Sequence, residues 1–237
     1  MKLSEAKDVV REHVGRDKLS DPQLDWCMQR GLREIEKAEN FYWMETHQQF
    51  HILEDQQEYT LEDIGVVDYK ESEIMLVSDR TADDPDWSEV IGPEMLEDTK
   101  PNFSEASTGK PAFFTMREEG DDPSILFWPP LPEQDFLAQW YYYRWTALPT
   151  AATSDSHEVL RRWPEALIYL ATEQGILTST KDVESASFWR SQFTQAEWPR
   201  MKLYQQKRHS RQRFRTASSQ GATALTDRLR QQQKAWF

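Results

Sequence analysis

His47 and His51 stand four residues apart, the spacing at which two imidazoles on one helix face can share a metal ion. They fall in a Gln/Phe-rich stretch that reads as a strand, with no third ligand at a sensible distance. They are therefore read as surface or packing histidines, and no metal is assigned. Acidic pairs such as Asp83-Asp84 and Asp121-Asp122 invite comparison with glycosidases. Those need two carboxylates about 5–10 Å apart across a cleft. A carboxylate hydrolase would need two acids to converge in a pocket, and solvated surface is the ordinary place for such groups. Cys27 is the single cysteine, which excludes an internal disulfide and a cysteine zinc cluster. It lies near the apolar face of a helix and reads as buried rather than nucleophilic. No G-x-S-x-G, Walker A, G-x-G-x-x-G or H-E-x-x-H pattern occurs. No catalytic residue or cofactor is assigned, and the chain is read as a non-enzyme.

The elements that hold these residues fall into three blocks. At the N-terminus, Ser4 opens a short helix to about His13, ended by Gly15. Asp21-Pro22 then starts a stronger helix, with an N-cap acceptor followed by proline at the first helical position. Along it Leu24, Met28, Leu32 and Ile35 recur at helical spacing to about Asn40. From Phe41 the pattern turns to short aromatic and β-branched runs, read as strands: Phe41-Tyr42-Trp43, Gln49 to Leu53, Gly65 to Tyr69, Ile74 to Val77, Pro111 to Met116, Ser124 to Trp128 and Phe136 to Trp145. A short helix is expected from Trp87 to about Asp98, a polar loop from there to Gly109, and hairpin turns at residues 118–123 and 129–132. After Pro149, Val159, Trp163, Leu167 and Leu170 mark a helix to about Thr178. A second helix starts near Thr180-Lys181-Asp182, with Val183, Ala186, Phe193 and Ala196 on its stripe, until Pro199 kinks or stops it.

The fold class is thus α+β: a helical bundle built from N- and C-terminal helices with a β-rich insertion, plus an extended C-terminal tail. The blocks are residues 1–40, 41–148, 149–199 and 200–237. Burying four apolar stripes together is what brings the helices into one bundle.

Charge divides the same chain. The 237 residues carry 28 Lys+Arg and 41 Asp+Glu, a net charge of −13. Residues 1–199 account for −22 and residues 200–237 for +9. Such a body repels DNA, which argues against wholesale nucleic-acid binding. No run approaches the ~18 apolar residues of a membrane span, and the first residues open no signal peptide, so a soluble protein of a reducing compartment is expected. Trp140-Tyr141-Tyr142-Tyr143-Arg144-Trp145 places alternate rings on opposite faces of a strand, for a core on one side and sheet surface or a partner on the other. The basic tail admits three readings: a solubilising segment, a nucleic-acid arm, or a peptide that orders on a partner. The scattered Phe214, Leu225, Leu229, Trp236 and Phe237 among Arg208, Arg211, Arg213 and Arg215 favour the last, because apolar side chains need pockets.

Pro111-Ala112-Phe113-Phe114, then Leu126-Phe127-Trp128-Pro129-Pro130-Leu131-Pro132, then Trp140-Tyr141-Tyr142-Tyr143-Arg144, then Trp163-Pro164-Glu165-Ala166-Leu167-Ile168-Tyr169 form an ordered series. It resembles that of tailed-bacteriophage head–tail adaptor (connector, head completion) proteins over about residues 20–200. The resemblance implies a structural virion protein at the head–tail junction, assembled in the host cytoplasm. It implies a homo-oligomeric ring, usually a dodecamer, that docks under the portal protein, meets a tail or nozzle protein below, and extends the DNA channel. Genome DNA would pass without specific binding, and no membrane is involved. The segment that would reach the portal carries Arg208, Arg211, Arg213, Phe214, Arg215, Leu225, Leu229, Trp236 and Phe237. The alternative is a nucleic-acid-binding accessory protein that uses the same tail.

Overall fold

A computed structural model describes residues 1–54, 56–79, 87–90, 109–117, 123–128, 132 and 134–219, with the side chains of residues 79, 128 and 209–219 left aside. The chain divides into two compact units, Met1–Glu39 with Ala147–Phe237, and Asn40–Thr146.

The first unit is helical. Helices α1 (Leu3–Val14) and α2 (Asp21–Ala38) are followed, after the other unit, by α3 (Glu158–Arg162), α4 (Pro164–Ser179), α5 (Val183–Gln192), a π-helical turn (Phe193–Glu197) and α6 (Trp198–Ser219). Helix α4 runs through the middle, with α1, α2 and α5 packed on it. That position explains its composition: Ala166, Leu167, Ile168, Leu170, Ala171 and Ile176 are all buried, and apolar residues ring the helix instead of forming one stripe. Helix α2 presents Leu24, Cys27, Met28, Leu32 and Ile35 to the core, so Cys27 is buried and burial pushes its thiol pKa up. Gly31 is what lets α2 close on α4. A Cβ there would lie 3.1 Å from the Ala171 backbone nitrogen. The residue that weakens α2 by propensity is the one its packing requires.

Helix ends follow capping chemistry, displaced slightly from the sequence expectation. The N-cap of α1 is Lys2 rather than Ser4, and Glu5 accepts the Lys2 N–H at 2.9 Å. The N-cap of α2 is Ser20 rather than Asp21, and Gln23 Oε1 accepts the Ser20 N–H at 2.9 Å. The helix expected from Val159 to Thr178 is broken at Trp163, because the residue before Pro164 is pushed out of the α region (φ −133°, ψ 43°).

Around Pro199, where a kink or a stop is expected, two further expectations change. The helix does not stop there. It continues as α6, so residues 200–219 are helical rather than extended. Proline is tolerated because it stands in the first turn of α6, directly after the π turn, where its missing N–H costs little. The π turn also shifts the buried stripe. Ala186 and Phe193 are buried as expected, but Val183 and Ala196 are exposed, and burial passes instead to Glu197, Met201 and Gln205, each four residues on.

The second unit is antiparallel β. Its strands are β1 (Glu45–Ile52), β2 (Glu58–Thr60), β3 (Tyr69–Asp79), β4 (Ser88–Val90), β5 (Phe113–Arg117), β6 (Ser124–Trp128) and β7 (Phe136–Arg144). One sheet has the order β1-β7-β3-β4 and the other β2-β6-β5. They share one core that contains Phe50, Ile52, Tyr59, Met75, Val77, Phe114, Phe127, Phe136, Ala138, Trp140 and Tyr142. Aromatic rings bridge the sheets, with Phe114 edge-on to Trp140 at 6.3 Å.

Several local expectations are corrected. Residues 41–43 form a turn, not a strand. The Met44 N–H donates to the Phe41 carbonyl at 2.9 Å, and the Phe41 and Trp43 rings stack at 4.3 Å. Residues 65–68 also lie in a turn, since Gly65 and Asp68 both take positive φ (73° and 52°), which a strand does not allow. Trp87 directly precedes strand β4, where a helix is expected, and residues 91–108 and 118–122, which hold the remainder of that stretch, nearly all of the polar loop and most of the first turn, lie outside the described residues. β5 and β6 pair antiparallel, but β6 and β7 belong to different sheets, so these two strands do not pair with each other; residues 129–131 of the turn expected at 129–132 lie outside the described residues. Strand β2 is too short to leave a periodic signal. Among the described residues no helix is long and apolar enough to cross a membrane.

Candidate docking surfaces

The start of α6 is fixed by contacts on one side only. Met201 is fully covered and Gln205 is buried, while Tyr204 stands edge-on to Trp163 at 5.8 Å. Cations complete this seam: Arg162 lies over the Tyr204 ring at 5.2 Å, Arg200 over Trp163 at 6.0 Å, and Lys202 over Trp198 at 5.4 Å. Arg200 also donates to the buried Glu197 at 2.7 Å, and Lys202 pairs with Glu39 at 3.6 Å. Two of the tail's ten basic residues, Arg200 and Lys202, thus help dock α6 on its own unit.

Of the residues assigned to partner binding, Arg208 is half-buried. Arg211, Arg213, Phe214 and Arg215 fall on the helical backbone of α6, with Arg208, Arg211 and Arg215 spaced three and four apart. Leu225, Leu229, Trp236 and Phe237 lie outside the described residues. The anchoring role of Met201 and Tyr204 went unread in the sequence. Their spacing from Glu197 and Arg200 was the available signal, hidden by the assumption that Pro199 ends the helix.

Further charged groups are structural. Arg190 Nε donates to Glu173 at 2.9 Å and lies 3.7 Å from Glu34, tying α5 to α4 and α2; burial raises the Glu173 pKa against that partner. Asp182 caps α5 by accepting the Glu184 and Ser185 N–H groups, each at 3.1 Å, and hydrogen bonding holds its carboxyl below the usual range. His157 caps α3 through Nδ1, which accepts the Val159 N–H at 3.2 Å, and burial lowers its pKa to about 4.

In the β unit the aromatic strand splits as alternation demands. Phe136, Ala138, Trp140 and Tyr142 face the core, and the Trp140 Nε1–H donates to Ser72 at 2.9 Å. On the opposite face Tyr141 receives a Gln139 amide hydrogen bond at 2.7 Å, and its ring meets His47 at 5.8 Å. Tyr143 pairs in register with Glu45 on one side and Glu71 on the other; burial, then the charges of Glu73, Glu45 and Glu71, push its phenol pKa far up. His51 is exposed and apart from these. Among the described residues no group of His, Cys, Asp or Glu is arranged to hold a metal.

The deciding observation is the extent of one family likeness. The family model described as SU10 adaptor protein matches residues 1–223, across both units and through α6. The chain belongs to the SU10 adaptor protein family. That family is one of phage head–tail adaptors, so the resemblance carried by the Trp-Pro, Tyr-Tyr-Arg and Pro-Glu-Ala-Leu-Ile-Tyr stretches is borne out. Membership points to a structural connector role and a non-enzymatic protein. No curated protein matches the chain.

Proposed function

We propose that this SU10-family adaptor is a structural virion protein that forms a ring, with twelve copies as the expected number, between the portal of the capsid and the tail. It is assembled in the host cytoplasm and retained at the head–tail junction. The observation that carries this reading is the family match over residues 1–223, which spans the helical unit, the β unit and the helical start of the basic segment.

In this reading α6 is the stem of the portal-docking segment. Its first turns are held by Met201 and Tyr204, and the basic residues from Arg208 onward, with Phe214, Leu225, Leu229, Trp236 and Phe237, reach the portal protein. The β unit has a net charge of −18 and, apart from its 61–68 turn, exposes Glu54, Glu58, Glu71, Glu73 and Glu89. An acidic wall suits a DNA conduit, since phosphate slides past it without sticking. A tail or nozzle protein is the partner on the far side.

Electron micrographs of the chain alone and mixed with portal rings test the assignment. Ring-shaped additions under the portal are expected, and their absence would overturn it. A chain ending at Arg208 should stay folded and lose portal binding. If duplex DNA rather than portal captures the isolated 209–237 peptide, the nucleic-acid-accessory reading replaces this one.

A further inference from the structure

Each unit exposes a large apolar side chain beside exposed charges: cations along one stripe of α2, where Asp25 stands next to Trp26 and Arg30 also lies 3.6 Å from Glu34, and carboxylates on a turn of the β unit. On α2, Pro22, Trp26, Arg30, Arg33 and Lys37 recur at four, four, three and four residues, opposite the buried Leu24, Met28, Leu32 and Ile35. Trp26 is 53% exposed, with the exposed Arg30 and Lys37 on the same face. On the β unit, Val67 is 60% exposed and follows the exposed Glu62 and Asp63, with Asp68 beside it. That turn is rigid. Leu61, Ile64 and Val66 are buried, the Val66 N–H donates to Leu61 at 2.8 Å, and the Asp68 carbonyl accepts the Trp145 N–H at 2.7 Å.

We infer that the α2 face of one copy docks on the 61–68 turn of a second copy, Trp26 against Val67, with Arg30 and Lys37 meeting Glu62, Asp63 and Asp68. A half-exposed tryptophan in a cationic rim is the usual anatomy of an interface anchor. The acidic unit of a second copy is the occupant because its net −18 complements that rim, while the same charge repels a nucleic acid. The two patches differ, so the contact is heterologous, the kind that propagates around a ring. This inference rests on the ring assignment and supplies the subunit contact for it.

The test uses the full chain with portal rings, read by mass photometry and electron microscopy, and by retention on duplex DNA. R30E/K37E makes both patches negative, and E62K/D63K makes both positive. Each variant alone should lose ring assembly while melting like the wild type, because all four residues are exposed. An equimolar mixture should recover assembly, since alternate copies then present opposite charges at every contact. Trp26→Ala should raise the concentration for half-assembly by about tenfold or more. If the wild type assembles and neither charge variant is impaired, or folded variants are impaired and the mixture does not recover, this contact is overturned and the ring assignment stands. If the wild type itself makes no ring alone or on portal, the ring assignment falls, and this contact with it. Variants that assemble normally but lose DNA retention would mark α2 as a nucleic-acid face instead.

Discussion

Tyr204 stands edge-on to Trp163, ring centroids 5.8 Å apart and planes at 72°, and this pair carries the docked part of the C-terminal segment past Pro199. Trp163 interrupts the α3–α4 path, and Tyr204 lies in the second turn of α6, five residues after Pro199. A boundary placed at Pro199 therefore cuts through packed structure.

Two truncations should behave differently. Ending the chain at Arg208 keeps Met201, Tyr204 and Gln205, so the melting temperature should stay near that of the full chain. Ending it at Pro199 removes Met201, which is 1% exposed, and strips the cover from Trp163. Burial of a side chain like Met201 contributes about 1.5–3 kcal/mol. A drop of roughly 5 °C or more is expected in differential scanning calorimetry. Equal melting of both truncations would show that α6 adds nothing to the unit.

Gly31 should resist enlargement. Alanine normally gains about 1 kcal/mol over glycine inside a helix. At Gly31 the new Cβ meets the Ala171 backbone nitrogen at 3.1 Å, and backbone does not yield as a side chain does. Gly31→Ala should therefore show no stabilisation in urea unfolding, and Gly31→Leu should lose about 2–3 kcal/mol. A clear gain for Gly31→Ala would mean that α2 and α4 are not in this close contact.

His157 sets a pH dependence of known sign. Its Nδ1 accepts a hydrogen bond, which only the neutral ring can do, and its folded pKa near 4 is below the unfolded value of 6.5. The unfolded chain therefore binds the proton first, and stability from this residue is present above pH 6.5 and lost as pH falls toward 4. The loss is roughly 2 kcal/mol across that window. His157→Asn keeps an N-cap acceptor without the titration, so its stability should fall less than the wild type's between pH 6.5 and 4. Parallel pH profiles would reject the capping role.

Trp140 unites the core of the β unit with a polar anchor. Trp140→Phe leaves a cavity and removes the donor to Ser72, and should cost about 2–3 kcal/mol in denaturant unfolding. Ser72→Ala should cost about 1 kcal/mol. A Ser72→Ala loss as large as that of Trp140→Phe would assign the effect to the hydrogen bond rather than to packing.

The sequence by itself determined the elements whose signal is local and periodic. Leu24, Met28, Leu32 and Ile35 gave α2, strict alternation through Phe136, Ala138, Trp140 and Tyr142 gave the inward face of β7, and Asp182 marked the start of α5. The ordered aromatic motifs were enough to read the adaptor family. Tertiary structure decided what periodicity cannot carry. Sheet membership separated β6 from β7 because pairing is a long-range choice between edges. Positive φ at Gly65 and Asp68 turned an apolar run into a turn, since Leu61, Ile64 and Val66 are drawn into the core together. At Pro199 the sequence rule was right about the missing donor and wrong about its consequence. The π turn before it had already spaced the backbone so that Glu197, Met201 and Gln205 stay on the packed face, and burial there holds the first turns of the helix.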